Sequence, residues 1–484
     1  MRLKEIYPYL SDEKLKDITF RGVSCDSRYV QKGDIFFIIG KGKFDIFSVL
    51  GQIEPKINIF VGALKDREKI TSAISKKPVI FVEDPQKDFL KAVDMIYGLG
   101  DKKIEFIGVT GTNGKTTTSS LIYHILKETG YETSLIGTVY SIVGRKRVNT
   151  GYTTPDFLLL RRLLSSLEAK KKSYAVLEVS SHGISQGRVR GIPFSCCIFT
   201  NLSRDHLDYH KTMDRYFKVK KNFFLDNRQA LSIINIDDSY GRKIGRELKK
   251  KVFYGLDRKA HFCATEVEMS KKYLRFRVHG GSRTLKVESS LCGRHNVYNI
   301  LAALSTVACL GVSLDVAVRG IRSFKGVEGR LEEAGDDIFI DYAHTPAALG
   351  ESISALKDIG YKKVITVFGC GGDRDKGKRR TMGRVSSRQS YFTYVTSDNP
   401  RSEEPRVICR QIEQGFEGDN YALVLDREKA IKEAIRLLSR EKKKKSSAGG
   451  VCVLIAGKGH EDYQLIEDKK IPFKDSAIVK NIVK

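Results

Sequence analysis

The stretch GVTGTNGKTTTSS, Gly108–Ser120, decides how the rest of the chain is read. A short apolar run, KKIEFIGV, leads into it and has the composition of a buried strand. After it, Leu121, Ile122, Ile125 and Leu126 recur at helical spacing, and Gly130 stands where a C-terminal cap belongs. Strand, glycine loop and helix together form the setting in which backbone N–H groups and a helix N-terminus face an anion. The spacing departs from the common phosphate loop G-x-x-x-x-G-K-[ST]. Val109 occupies the place of the first glycine, while glycines stand at 108 and 111. Lys115 supplies a positive charge for β- and γ-phosphates, and Thr116 a hydroxyl for Mg²⁺. A plain glycine-rich turn is the bland alternative, and a lysine followed by three threonines at a helix start argues against it. ATP and Mg²⁺ are the cofactors this predicts.

At 484 residues the chain predicts about three domains of ~150 residues each. A hydrophobic content of 41% is enough for large cores. No apolar run is long enough to span a membrane, and MRLKEIYPYLSDEK lacks an apolar signal core. The expectation is a cytoplasmic enzyme without membrane insertion, monomeric, with free thiols. The nine cysteines are scattered, and no CxxC pair or Cys/His cluster marks a zinc site. Lys+Arg 85 against Asp+Glu 58 gives a net charge of +27. Such a balance fits nucleic acid, polyanionic small substrates or a lysine-rich proteome. No RRM, KH or zinc-finger pattern accompanies it, so no nucleic-acid partner is expected. The run REKKKKSS at 440–447 reads as a solvated loop.

Three blocks follow, all α/β. Residues 1–99 contain DSRYVQKGDIFFIIGKGKFD, a turn at Lys32–Gly33–Asp34 and then an apolar strand, with no catalytic cluster; this is a binding module. Residues 100–327 open on the phosphate loop and repeat strand-like runs at YAVLEVSSH, CCIFTNLSRDH and ALSIINIDD, the grammar of a P-loop ATPase-like α/β domain. Residues 328–484 continue with DIFIDYAHTP, VITVFGCGGDRDKGKR, FTYVTSDNPRSEE, YALVLDREKA and VCVLIAGKGHE, as in a doubly wound, Rossmann-like α/β domain without a phosphate loop of its own. Polar residues gather where each apolar run ends, the place where open α/β sheets bind ligands. Glu178, ending a strand, suits a second Mg²⁺ ligand. His206 also follows a strand end, and alone it carries no role. The charge-dense GGDRDKGKR suits recognition of an anionic group by arginine.

Nine strings then occur in a fixed order: GVTGTNGKTTT, YTTPD, LEVSSHGISQGRV, FTNLSRDHLDYHKTMDRYFKVK, GRHNVYN, DYAHTP, GGDRDKGKR, DNPRSEEP and AGKGHEDYQ. Together they resemble the Mur ligases over nearly the whole chain, most strongly from 108 to 465. T-G-T-N-G-K-T is the loop form that family uses. The resemblance implies an ATP-dependent amide ligase of peptidoglycan precursor synthesis. It would add meso-diaminopimelate to UDP-MurNAc-L-Ala-D-Glu through an acyl phosphate, with an N-terminal UDP-binding domain. It further implies residue roles. Gly111, Thr112, Asn113, Gly114, Lys115, Thr116 and Thr117 would hold ATP, with Asn296, Arg330 and Asp341 at the nucleotide. Thr116, Glu178, His206 and Lys220 would surround Mg²⁺, with Lys220 carbamylated. Cys25 and Ser27 would serve the uridine, and Tyr152, Thr153, Thr154, Ser180, Gln186 and Arg188 the muramoyl-dipeptide. Arg374, Asp398, Asn399, Pro400, Arg401, Gly457 and Glu461 would form the diaminopimelate pocket.

This sequence departs from the family's pattern at several places. Tyr152 stands where many relatives have Asn, and Cys25 where an aliphatic residue is common. GKGKFDIF replaces a glycine–histidine-rich segment, and His295 an aromatic. A lysine-adding ligase and a folylpolyglutamate synthase-like ligase are the neighbouring alternatives. A P-loop nucleic-acid motor and an inactive scaffold are the distant ones. The lack of a nucleic-acid motif argues against the motor, and intact Lys115, Thr116, Glu178 and Lys220 against the scaffold.

Overall fold

A computed structural model describes residues 1–40, 45–100, 102–168, 172–444 and 450–483. Residues 41–44 of GKGKFDIF and 445–449, which include the end of REKKKKSS, lie outside the described residues. The chain divides into two compact units, Met1–Lys102 with Asp156–Glu168, and Lys103–Pro155 with Ala169–Lys484.

The first unit is built on a parallel sheet in chain order: Gly22–Ser24, Asp34–Phe37, Ile57–Ala63 and Val79–Val82. Gly33, at φ +91°, makes the turn into the strand DIFF, all four residues of which are buried. Helix Phe157–Ser165 belongs to this unit although it follows the YTTPD string in sequence. Arg162 on that helix donates to the Val23 carbonyl at 2.8 Å and pairs with the buried Asp34 at 3.2 Å.

In the second unit a long sheet runs in the order Glu132–Ile136, Ser173–Glu178, Ile104–Thr110, Phe194–Phe199, Leu231–Asn235 and Lys251–Gly255, all parallel. The strand before the phosphate loop is therefore central, with a parallel neighbour on each side. Phe106, Ile107 and Val109 are fully buried. Such side chains contribute roughly 1.5–3 kcal/mol each on burial. Helix Lys115–Glu128 packs on this sheet, and Gly130 takes φ +84° just past its end. The sheet then continues into antiparallel strands Phe262–Met269, Leu274–Gly280 and Arg283–Ser289, which the reading of an α/β block did not include. Leu274–Gly280 alternates buried and exposed residues, the mark of a strand with one wet face.

A further sheet carries Ile338–Asp341, Val451–Ala456, Lys363–Phe368, Phe392–Val395 and Tyr421–Leu423 in parallel, with Glu332–Gly335 antiparallel at one edge. Helix Arg427–Lys442 covers one face of it. That helix corrects the reading of REKKKKSS as a loop: Arg440–Lys442 are its last turn, and Glu441 is buried with Lys363 2.7 Å away. A buried carboxylate paired with a lysine makes the start of this charge run structural. All nine cysteines are free. No helix among the described residues is long and apolar enough to cross a membrane.

Candidate functional site

Parallel strands end on the same edge of a sheet, so their exit loops gather there. Ile104–Thr110 delivers the phosphate loop, Ser173–Glu178 delivers Glu178, and Phe194–Phe199 delivers the segment Thr200–His206. The loop is held from the third of these. Asn201 accepts the Thr112 N–H on its carbonyl and the Asn113 N–H on its side chain, both at 2.9 Å. Gly114 stands at φ +82°, and a Cβ there would lie 2.4 Å from Asn299 Oδ1, so both conformation and space demand glycine.

Lys115 folds over the loop and donates to the carbonyls of Gly111 at 3.0 Å and Thr112 at 2.7 Å. Thr116 donates to Glu178 Oε2 at 2.9 Å and accepts from Arg330 Nη2 at 3.0 Å. Glu178 is 1% exposed and also accepts from the N–H and hydroxyl of Thr138. Lys220, on helix Met213–Asp226, lies under the loop and donates to Gly111 O at 2.8 Å. Burial pushes the Lys115 ammonium below its ordinary range. Lys220 is driven well below, by burial and then by Lys115.

This donor set fits a polyphosphate. Three cations, Lys115, Lys220 and Arg330, converge on a glycine loop at a helix N-terminus. The Thr116 hydroxyl and Glu178 carboxylate are hard oxygen donors of the kind Mg²⁺ takes. Among the described residues no group of three His, Cys, Asp or Glu stands together as a metal cluster. Thr116 and His206 line the cavity above the loop, and Glu178 reaches Thr116 from behind. Lys220 is bonded to the loop carbonyl. Asn296, Arg330 and Asp341 line the same cavity, with His295, Glu351 and Ser352 beside them. The Asp341 carboxyl, raised by burial against the pull of Arg330, accepts the N–H groups of Leu331 and Ala343.

His206 takes φ +54°, uncommon for a residue with a Cβ. Asp205 braces it, accepting its backbone N–H at 2.9 Å and lying 3.3 Å from its Nε2. Burial pushes the His206 imidazole down to about 3, against the opposing charge of Asp205. Burial alone would raise Asp205. His344, 3.6 Å away, with His206 and Lys378 nearby, more than offsets this and holds the carboxyl well below its usual range.

The residues expected at the dipeptide form one chain of contacts. Thr154 donates to the Glu178 carbonyl at 2.8 Å and lies 3.1 Å from the Ser180 hydroxyl. Thr153 accepts from Thr138. Arg188 donates to the Thr154 carbonyl at 2.6 Å and to Gln186, and its guanidinium lies over the Tyr152 ring at 5.3 Å. Cys25 and Ser27 belong to the first unit, where Ser27 opens a short 3₁₀ turn capped by Asp26.

A second cavity adjoins the first, sharing Asp205, His206, Tyr342 and His344. Arg374, Asp398, Asn399, Arg401, Gly457 and Glu461 line it, while Pro400 is buried behind them. Arg401 stands at φ +53° and donates to the Gly372 carbonyl at 2.8 Å. Burial, and then Arg374, push its guanidinium below the ordinary range. Glu461 accepts from Asn399 at 2.8 Å and from the fully buried Lys458 at 3.0 Å. Guanidiniums from Arg374 and Arg401 and several carboxylates, Asp398 and Glu461 among them, in one cavity suit a ligand carrying both signs of charge.

Thr138, Asp205, Tyr342, His344 and Lys378 also line these cavities and are not among the site residues expected from the sequence. Asp205, Tyr342, His344 and Lys378 lie inside the quoted strings, where position in a motif was the available signal. Thr138 carries none.

Among known families, the Mur ligase middle domain matches residues 109–307, and the Mur ligase glutamate ligase domain residues 329–459. A Clostridium tetani protein named UDP-N-acetylmuramoyl-L-alanyl-D-glutamate--2,6-diaminopimelate ligase is 36% identical over 496 residues, covering 100% of this chain and 99% of that one. One of the same name from Caldanaerobacter subterraneus is 38% identical, covering 96% and 95%. A solved structure of a ligase so named matches with TM-score 0.65 at 29% identity, covering 100% and 98%. MurF of Thermotoga maritima, solved with ADP, shares the fold at TM-score 0.66 and 20% identity, covering 97% and 98%.

Proposed function

This chain belongs to the Mur ligase family, and from that premise we propose that it joins 2,6-diaminopimelate to UDP-N-acetylmuramoyl-L-alanyl-D-glutamate at the expense of ATP. The observation that carries the substrate is the second cavity. Arg374, Arg401, Asp398 and Glu461 line it, and it shares Asp205 and His206 with the phosphate-loop cavity. Full-length identity of 36–38% to ligases of that name supports the same assignment.

The chemistry needs a carboxylate made into an acyl donor. The D-Glu carboxylate oxygen attacks the γ-phosphorus of ATP, and ADP leaves. The amine of diaminopimelate then attacks the acyl carbon, the C–O bond to phosphate breaks, and the amine gives up a proton as the amide forms. Lys115 and Arg330 stand where charge collects on the transferring phosphoryl group. Thr116 and Glu178 would hold Mg²⁺, which supplies charge neutralisation there. Thr153, Thr154, Ser180 and Arg188 orient the dipeptide so that its carboxylate meets the loop. The enzyme acts as a cytoplasmic monomer in this proposal.

The test is direct. The protein is incubated with ATP, Mg²⁺, the UDP-linked dipeptide and a panel of amino acids, and the products are weighed. One condensation product with diaminopimelate, matched by ADP release, is expected. No product, or equal use of L-lysine, would overturn the assignment.

A further inference from the structure

We propose that Lys378 binds the carboxylate next to the reacting amine of the incoming amino acid. Lys378 has no role in the assignments above, and this inference rests on the diaminopimelate reading of the second cavity. Lys378 sits in the first turn of helix Gly377–Gln389 and lines that cavity. Its side chain is 7% exposed. Burying an ammonium costs free energy unless it is paired. The other buried cations near the site are paired or hydrogen-bonded. Lys458 donates to Asn399 and Glu461, Arg379 to Glu403 and Gln411, and Lys220 to Gly111. The Lys378 ammonium has Asp205 Oδ1 at 3.9 Å and no hydrogen bond among the described residues.

Its neighbours are committed elsewhere. Asp375 accepts from Arg204 at 3.1 and 3.3 Å and from the Gly377 N–H. Asp205 faces His206 and His344. A buried cation that opens on a cavity, with one long ion pair and no hydrogen bond among the described residues, is a built place for an anion.

Location selects which anion. Asp205 lines both cavities, so Lys378 beside it marks the end next to the phosphate loop. Arg401 is bonded to Gly372 and Asn399 and lines the second cavity but not the first. Diaminopimelate carries one carboxylate on the carbon of the attacking amine and one at the far end. The amine must reach the acyl carbon at the junction, and its own carboxylate comes with it, next to Asp205. Without a cation there, two carboxylates would face each other in a desolvated space. Lys378 removes that repulsion, while Arg401 takes the distal carboxylate.

The experiment measures KM for diaminopimelate, ATP and the UDP-linked dipeptide in wild type, Lys378→Met and Lys378→Arg, with thermal melting of each. Losing a charge-assisted hydrogen bond should raise the diaminopimelate KM roughly 10- to 100-fold. The other two KM values should stay within about twofold, and arginine should restore part of the loss. An unchanged diaminopimelate KM in folded Lys378→Met overturns the inference. So does a rise in all three KM values with lowered melting, which is the behaviour of a structural lysine. If Lys378→Met fails to fold, Lys378→Gln carries the same readout. If wild type ligates no diaminopimelate, it is the parent assignment that fails, visible before any variant is made.

Discussion

Lys115 and Lys220 share one acceptor: both ammoniums donate to the carbonyl oxygen of Gly111, at 3.0 and 2.8 Å. The two residues are far apart in sequence and reach the loop from opposite elements, Lys115 from the helix that follows it and Lys220 from helix Met213–Asp226. One peptide dipole cannot neutralise two buried ammoniums. Burial favours the neutral form of both, most for Lys220, and Lys115 lowers Lys220 further. A lowered lysine yields its proton more readily, and the free amine is the nucleophilic form.

That nucleophilicity predicts a carbamate on Lys220. The amine nitrogen bonds to the carbon of CO₂ and a proton leaves, so a cation becomes an anion with hard oxygens. The change removes the repulsion at Gly111 and offers an oxygen donor to Mg²⁺. Lys220→Ala should lose activity by roughly two to three orders of magnitude, with partial recovery in acetate. With ¹³C-bicarbonate the wild type should show a carbamate carbon resonance that Lys220→Ala lacks. Full activity of the folded variant would refute this.

Lys115→Ala should lower turnover by roughly 10²–10³, the usual cost of removing one preorganised charge from a transition state. Folding should be little affected, because among the described residues Lys115 hydrogen-bonds only to carbonyls of its own loop. Steady-state kinetics with a melting curve separate the two effects. Unchanged turnover would mean that the transferred phosphate does not pass this loop.

Much of this centre was legible because its signals are local. A buried strand, glycines at a turn and a lysine at a helix start fix the loop by neighbours in sequence. Glu178 was legible because a carboxylate ending a buried run must have a partner. Thr138 and Lys378 were not, because their contacts depend on how distant loops meet. Leu274, Phe276 and Val278 do alternate with Arg275, Arg277 and His279. The charged residues on the wet face diluted that strand signal. Helix Phe157–Ser165 has an ordinary amphipathic pattern, which does not say which unit it joins.

His295 gives a pH prediction. Burial pushes its imidazole down to about 4, and His460 behaves alike, chiefly by burial and then through Arg330. Unfolded histidine takes a proton near pH 6.5. Between pH 6.5 and about 4 the unfolded chain binds more protons, so stability rises with pH and is lost as pH falls through that window. His295→Phe removes one such group. Its unfolding free energy should fall less steeply than wild type below pH 6.5, by up to about 1.4 kcal/mol per pH unit. Urea titrations at pH 7.5 and pH 5 measure the difference, and identical slopes would place His295 in a solvated setting.

Arg401 should decide between diaminopimelate and L-lysine, which lacks one distal carboxylate. Its backbone is held in a left-handed conformation, φ +53°, by Leu465 O accepting its N–H at 2.9 Å and its own carbonyl accepting from Glu467 at 2.8 Å. That strain aims the guanidinium at the cavity, where it bonds to Gly372 O at 2.8 Å. Burial and Arg374 already make the charge costly, so a carboxylate that bridges the two arginines would be strongly bound. Lysine offers nothing in that place and leaves both cations desolvated. Glu461 should not choose between the two amino acids, because the distal ammonium it would face is present in both and Lys458 already engages it. Wild type should therefore reject L-lysine by up to ~10⁴ in kcat/KM. Arg401→Ala should lose roughly 10²-fold or more with diaminopimelate, little with lysine, and nothing in its ATP requirement. Competition assays with both amino acids in one reaction give the ratio. A variant that keeps the wild-type ratio would remove Arg401 from the discrimination and pass it to Arg374, the other guanidinium that lines the cavity.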